Sequence, residues 1–476
     1  MTESNVHQNK LLYFRHDVWR ELTEPAISRL KLSLYEELPA VQANQILDSR
    51  HLGFNQVRML PKASGMRPIM NLRRRTTKLY KGRIALGKSV NSIITPVFKM
   101  LDLERKKHPE LMGSSLFSVG DMQRHLEEYN CRLIEKGLQS RRLYFAKADA
   151  VSCFDTIPQQ AVISLIESMI QESECQIARH AEIRHDTLHY YRRDEPPMVK
   201  PCRKFISTAR AANDSANITD VIKEERVGHQ HDTVFVETGP PQRQTTKSLL
   251  QLLREHIQQN ITKIGKKFYR QRAGIPQGSV LSSLLCNFFY SQMEQEHLDF
   301  VRNEESLLLR LVDDFLLITA NKAIATEFVR VMHAGMAEYG IKVNVAKSLV
   351  NFPVNVHGFA VPHLPGNSMA FPYCGNLINM KTLEIAKDRD RRKKTTLSDT
   401  LTVEHSKTPG RTFYRKALNA FKIQTMKMLV DTTFNTPMTV LGTIYQNFAE
   451  TAMKVFRYAK CMPSHGQPNL DLTIGR

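Results

Sequence analysis

A chain of 476 residues has room for two to four domains and a substantial core. Its 42% hydrophobic and 24% charged residues are ordinary, but a net charge of +20 draws polyanions: nucleic acid first, an acidic membrane surface second, with solubility alone as the bland alternative. Seven scattered cysteines with no CxxC pair argue against a zinc knuckle or a disulfide framework, and the lack of a membrane-length apolar run or a secretory leader predicts a soluble intracellular protein.

Residues 1–54 read as helix from the spacing of "DVWRELTEPAISRLKLSLYEEL", with Pro25 expected to break it. "VRMLPKASGMRPIM", residues 57–70, predicts two strands about a Ser64-Gly65 turn, with Lys62 and Arg67 flanking it. After the basic "NLRRRTTKLYKGR" comes a helical region with a loop near 113–115. "RRLYFAKADAVSCFDTIP" is a short apolar strand running into Asp149, followed by a helix from 159 to about 174. Residues from about 175 to 245 are polar, with "DEPPMVKP" and "ETGPPQRQ" as loop punctuation, and read as an insertion in a larger domain. Within it, His180, His185 and His189 (the last two at i, i+4 spacing) fit a solvated helix better than a metal site, because no paired cysteines lie nearby. "YRQRAGIPQGSVLSSLLCNFFYSQMEQEH" is a Gly/Pro turn feeding a long apolar helix. The run "LLLRLVDDFLLIT", a helix over 322–339 and the strand-like "GIKVNVAKSLVNF" follow. Beyond "FPYCGNLIN" the chain carries "KDRDRRKK", a solvated face, a duplex contact or a nuclear localisation patch, and ends in helical sequence.

Two adjacent carboxylates, Asp313 and Asp314, inside an apolar run need a counter-charge, since burying them unpaired is costly. Apolar flanks on both sides suggest a hairpin tip, with Arg310 as the plain structural partner. Asp149, with Asp155 six residues on, ends a second apolar strand. Carboxylates from two strand ends can share divalent ions, and Mg²⁺ prefers such oxygen donors. In "AGIPQGSVLSS", Gly274, Pro276 and Gly278 predict a turn with exposed amides, and Gln277 is placed to reach a base or sugar. Lys62 and Arg67 can clamp a triphosphate. Lys347 is a phosphate contact or an acid near a leaving pyrophosphate. Standing alone, the aspartate pair, the Gly/Pro turn and Lys347 read as an Arg310 pairing, a capping loop and a surface lysine, and the hairpin charges are equally well solvated; their order along the chain is the information.

That order resembles the reverse transcriptases, and among them most closely the telomerase reverse transcriptases. The matching phrases are "VRMLPKASGMRPIMNL" (motifs 1 and 2), "YFAKADAVSCFDTIPQ" (A), "YRQRAGIPQGSVLSSLLCNFFYSQME" (B′), "LLRLVDDFLLIT" (C), "GIKVNVAKSLVNF" (D) and "FPYCGNLI" (E). Val312, where many mobile-element enzymes carry an aromatic residue, is telomerase-like. The resemblance implies Asp149, Asp313 and Asp314 as catalytic residues and ligands of two Mg²⁺ ions. It implies Phe154 as the gate against a ribose 2′-OH, and Lys62, Arg67, Gln277, Gly278 and Lys347 as nucleotide contacts. Tyr373, Cys374 and Gly375 would grip the primer, with tyrosine where tryptophan is common. The 175–245 insertion would organise the RNA–DNA duplex.

The expected fold is an α/β (α+β) right-hand polymerase. Residues 1–54 would follow an RNA-binding domain for which the chain has no room. Fingers and palm would span 55–385, with the insertion between motifs A and B′, and a partial all-α thumb would span 386–476. The implied function is RNA-directed DNA synthesis on a telomeric 3′ end. The implied partners are the telomerase RNA template, a single-stranded telomeric primer, their RNA–DNA hybrid and accessory proteins, in the nucleus and at telomeres, with no membrane. The alternatives are a mobile-element or intron-type reverse transcriptase, or a non-catalytic nucleic-acid-binding fragment.

Overall fold

A computed structural model describes residues 2–3, 11–62, 65–80, 83–184, 202–212, 233–390, 402–404, 409–462 and 467. The expected mixture of strands and helices is present, centred on an antiparallel sheet in the order Ser306–Leu311, Asp314–Thr319, Tyr144–Asp149, Leu349–Val350. Its central strands are buried on both faces, so their sequences are continuous apolar runs. Alternation still assigns the faces. Phe315 and Leu317 point toward helices Ser282–His297 and Lys322–Ala334 in one core. Phe145, Leu307, Leu309, Leu316 and Ile318 point the other way, into a second core. Helix Met122–Glu135 fills that second core with Met122, Leu126, Tyr129 and Leu133, a stripe at four- and three-residue steps. Burying each such side chain contributes roughly 1.5–3 kcal/mol, which fixes this helix on the sheet.

A five-stranded sheet runs Tyr35–Leu38, Lys267–Gln271, Ile261–Ile264, Asn55–Pro61, Met66–Met70. The expected hairpin over 57–70 is present, closed by Lys62 N–H on the Gly65 carbonyl at 2.9 Å; Ser64 lies outside the described residues. The strand Tyr35–Leu38 pairs with Lys267–Gln271, so residues before 54 are woven into the sheet rather than standing apart. Pro25 does not break its helix, which runs His16–Leu34. The proline removes one donor, and the carbonyl it frees, that of Glu21, lies on an exposed stretch where water can serve it.

Three further expectations change. The insertion is a sheet, with Glu174–Arg184 paired to Cys202–Ala211, Thr233–Glu237 and Gln242–Thr245. His180 sits in it, buried, its ring 6.2 Å from that of Phe235, not on a solvated helix; His185 and His189 lie outside the described residues. The helix before it is shorter than expected, Gln159–Met169. In "GIKVNVAKSLVNF" only Leu349–Val350 is strand, because the Asn344 side chain accepts the Ala346 N–H at 3.1 Å and turns Val345–Lys347 into a 3₁₀ turn.

After the three-stranded sheet Ala370–Tyr373, Asn376–Asn379, Ile385–Lys387, the described C-terminal residues are helical, chiefly Pro409–Gln424 and Pro437–Cys461. Of "KDRDRRKK", Lys387 and Arg389 pair with Glu450 of the last helix at 3.4 and 2.7 Å, a bracket between sheet and helices rather than a solvated face. Residues 391–394 lie outside the described residues.

Candidate active site

The register of the central sheet sets Asp314 directly opposite Asp149. Asp149, Lys147 and Phe145 alternate onto one face of their strand, and Asp314, Leu316 and Ile318 onto the same face of the next. Asp313 occupies the tip of the hairpin, where Leu311 pairs with Asp314 across only Val312 and Asp313. So short a connection forces a positive φ, and Val312 takes it at 61°. A β-branched residue is strained there, a feature that concentrates at functional sites. The tip is docked by the Ala150 N–H on the Asp313 carbonyl, 3.0 Å.

Two lysines answer the clustered charge. Lys347 Nζ lies 2.7 Å from Asp149 Oδ2, and Lys147 Nζ lies 3.6 Å from Asp314 Oδ1. Burial raises the pKa of Asp313, and Asp314 beside it adds to the effect. Burial likewise raises that of Asp314, with Lys147 opposing. The hydrogen bond to Asp149 raises the pKa of Lys347. Arg310, the partner expected from sequence, faces the opposite side of the sheet. It is fully buried and bonded to Glu294 at 2.5 Å, Asn287 and Ser115.

Among the described residues no group of three acidic, histidine or cysteine side chains is arranged to hold a metal ion as it stands. The donor set nevertheless fits one. Three hard-oxygen carboxylates crowd together, and ammonium groups stand in against two of them as cations.

The "AGIPQGS" turn packs on the segment after Asp149. Its amides are less exposed than expected: the Ile275 N–H donates to the Phe154 carbonyl at 2.7 Å, and Gly274 and Pro276 are buried. Phe154 is half-buried against the core. Gln277 does not project freely toward a ligand, since its amide donates to Asp155 Oδ1 at 2.9 Å. Burial raises the pKa of Asp155, and this bond opposes the shift. Gly278 is exposed at φ 85°, its carbonyl accepting from Asn91 Nδ2 at 3.1 Å. The Asn91 side chain also accepts the Val280 N–H, and its backbone N–H donates to the Leu72 carbonyl, so one buried residue joins this turn to the segment after the 55–70 hairpin. Lys62 and Arg67 are exposed on that hairpin. Tyr373, Cys374 and Gly375 form a hairpin tip, with positive φ at Cys374 and Gly375. The Tyr373 side chain is buried, at 1% exposure.

Sequence reasoning missed Asn91, Lys147 and His256. The first two had no signal beyond a polar residue in an apolar stretch. His256 lies fully buried 2.9 Å from Ser279 Oγ, propping the same turn. Burial, helped by Arg50, lowers its pKa from 6.5 to about 4. Between those values only the unfolded chain takes up the proton, so stability is intact above pH 6.5 and falls as the pH drops toward 4. The full loss is on the order of 3 kcal/mol. Thermal unfolding of the wild type should show this fall between pH 6.5 and 4.5, and H256N should flatten it.

A family profile described as "Reverse transcriptase (RNA-dependent DNA polymerase)" matches residues 230–361. Another, "Telomerase ribonucleoprotein complex - RNA binding domain", matches residues 1–30, inside the segment expected to follow that domain. Telomerase reverse transcriptase of Rattus norvegicus is 30% identical over 97% of this chain and 41% of its own length, and that of Mus musculus is 29% identical over the same shares. The chain thus spans about two fifths of the length of these curated relatives. A structure of telomerase from Candida albicans in complex with a TWJ fragment of telomeric RNA superposes with a TM-score of 0.63 at 18% identity. That match covers 97% of this chain and 64% of the other, and speaks for the polymerase fold alone. Over 97% of its length the chain is thus similar in sequence to telomerase reverse transcriptases, and its fold is that of a polymerase.

Proposed function

We propose that this chain is an RNA-directed DNA polymerase that extends a telomeric DNA 3′ end with deoxynucleotides on an RNA template. The observation that carries the reading is the meeting of Asp149, Asp313 and Asp314 at adjoining strand ends, with charge compensation from Lys147 and Lys347. The three carboxylates would hold two Mg²⁺ ions. Bound there, such ions supply activation of the primer 3′-hydroxyl and neutralisation of charge on the leaving pyrophosphate.

The chain's own residues do the rest. Lys347, exposed and protonated at neutral pH, would hold phosphate charge beside Asp149. Lys62 and Arg67 would bind the triphosphate, the guanidinium by its planar fork. Phe154 would exclude a ribose 2′-OH. Gly278 would offer its exposed backbone to the nucleotide, and Gln277, held by Asp155, would orient that turn rather than read a base. The Cys374-Gly375 turn would meet the primer through its backbone. The net charge of +20 supports binding of an RNA–DNA hybrid through its phosphates, with steep salt dependence. The match of residues 1–30 to the RNA-binding profile supports a telomerase RNA as template. A telomeric primer, accessory proteins and residence in the nucleus at telomeres belong to the same reading.

The test is primer extension on a short RNA–DNA hybrid with dNTPs and Mg²⁺. Extension by the wild type should fall on the order of 10³-fold or more in D149A and in D313A, the scale of removing a charge-stabilising group from phosphoryl transfer. A wild-type chain that binds hybrid and extends nothing overturns the reading of this chain as a self-sufficient polymerase.

A further inference from the structure

Tyr373 stands at the end of the strand Ala370–Tyr373, one residue from a hairpin tip where Cys374 and Gly375 adopt φ of 47° and 82°. Two successive left-handed residues give a tight, twisted turn that holds the strand ends rigidly. The hairpin lies on the face of the central sheet that carries Asp149 and Asp314, and Phe371 stacks on Phe145 with centroids 5.2 Å apart. From there the Tyr373 hydroxyl donates to the backbone carbonyl of Asp314 at 2.9 Å. The Cys374 Sγ lies 3.9 Å from the carboxylate of the same residue. The ring is 1% exposed. A side chain so enclosed has no surface to offer a nucleic acid, while its one polar atom ends on a residue of the carboxylate cluster. A backbone carbonyl can only accept, so in this bond the phenol is the donor.

We infer that Tyr373 is a positioning residue for Asp314, not a primer contact: its hydroxyl fixes the backbone at the start of the Asp314 strand and so sets the carboxylate. This rests on the polymerase reading of the Asp149, Asp313, Asp314 site. The hairpin then serves the chemistry from behind as well as the primer from in front, through different atoms. Removing the hydroxyl takes this contact from the Asp314 carbonyl at the start of its strand, directly after Asp313 of the two-residue turn. Small displacements of a ligand's support weaken a site by roughly tenfold or more.

The experiment compares wild type, Y373F and D314N in two assays. Primer extension is measured against primer and dNTP concentration, and Mn²⁺ binding to the protein alone is measured by calorimetry. Y373F loses one oxygen and keeps the ring that packs the core, so a thermal scan should show it folded. The expected result is a kcat roughly tenfold lower per folded molecule with primer KM unchanged, and Mn²⁺ binding weakened in the direction of D314N. A primer KM that rises with kcat preserved would make Tyr373 a primer contact and overturn the inference. So would a lower melting temperature with kcat and Mn²⁺ affinity intact, the signature of packing alone. If the wild type extends nothing, the polymerase reading has failed, and the Mn²⁺ comparison of Y373F with wild type still decides the role of Tyr373.

Discussion

Replacing Arg310 with methionine is expected to destabilise the fold by about 3–5 kcal/mol, the range for stripping the partner from a buried charge. Arg310 is fully buried and Glu294 nearly so. The pair is closed on every side. Besides Glu294, the guanidinium reaches Asn287 Oδ1 at 3.0 Å, Ser115 Oγ at 2.6 Å and the Asn287 carbonyl at 3.2 Å. Glu294 also accepts from the Ser114 N–H at 2.8 Å and the Ser114 hydroxyl at 2.7 Å. Tyr290 and Phe315 rings flank the guanidinium carbon, each 5.8 Å away. R310M leaves a carboxylate with serine partners and no cation, in a site water does not reach. Its stability is read from denaturant midpoints. The double variant R310M/E294M removes both charges and should recover much of the loss, since the penalty belongs to the orphaned carboxylate. A cost under about 1 kcal/mol for R310M would mean that the pair is solvated in solution.

The second large effect is on the reaction. G274A should lower nucleotide incorporation by about 10²-fold while leaving hybrid binding close to wild type. Gly274 has φ 69°, and a Cβ there would stand 2.4 Å from the Phe154 carbonyl oxygen and 2.7 Å from the Asp155 Cα. Those neighbours are backbone and cannot swing aside. The same stretch holds Ile275 to Phe154 by a 2.7 Å hydrogen bond and Gln277 to Asp155. A methyl group therefore pushes apart the two segments proposed to line the nucleotide, and an ångström of misplacement is enough for a loss of that size. Single-nucleotide incorporation rates, set against hybrid affinity from the same preparation, make the comparison. By contrast G265A, also at positive φ (63°) but with open space around it, should leave incorporation within a few-fold of wild type and serves as the control for backbone strain.

Much of this site is legible in the linear chain because its chemistry conflicts with its surroundings. Asp313 and Asp314 are conspicuous only because apolar residues flank them on both sides, and a short connection between two buried strands puts them at a tip. The partner of Arg310 is another matter. Glu294 sits in a helix whose sequence shows an ordinary polar residue among Gln and Glu, and only the packing of that helix on the sheet makes it a buried charge. Tyr373 belongs to a recognisable motif, yet whether a ring faces solvent or core depends on the sheet across from it. The insertion was unreadable as a sheet because its strands pair over long separations, Glu174–Arg184 with segments up to Thr245, and its polar alternation satisfies backbone ladders rather than an apolar face. Pro25 misled for the opposite reason: the local rule was right about the lost donor, and exposure made it cheap.

The insertion leaves and re-enters the rest of the fold through a single doorway. Glu174 pairs with Thr245, the Thr246 N–H reaches the Ser173 carbonyl at 2.9 Å, and the Thr246 hydroxyl reaches that of Glu172 at 2.5 Å. Departure and return are thus neighbours in space, and among the described strands between them Glu174–Arg184 and Cys202–Ala211 also pack on the helix Val90–Lys107. Loop entropy grows only slowly with loop length. A change of length beyond those strands therefore need not slide Asp149 against Asp314, where a slip of one residue would turn every carboxylate to the wrong face.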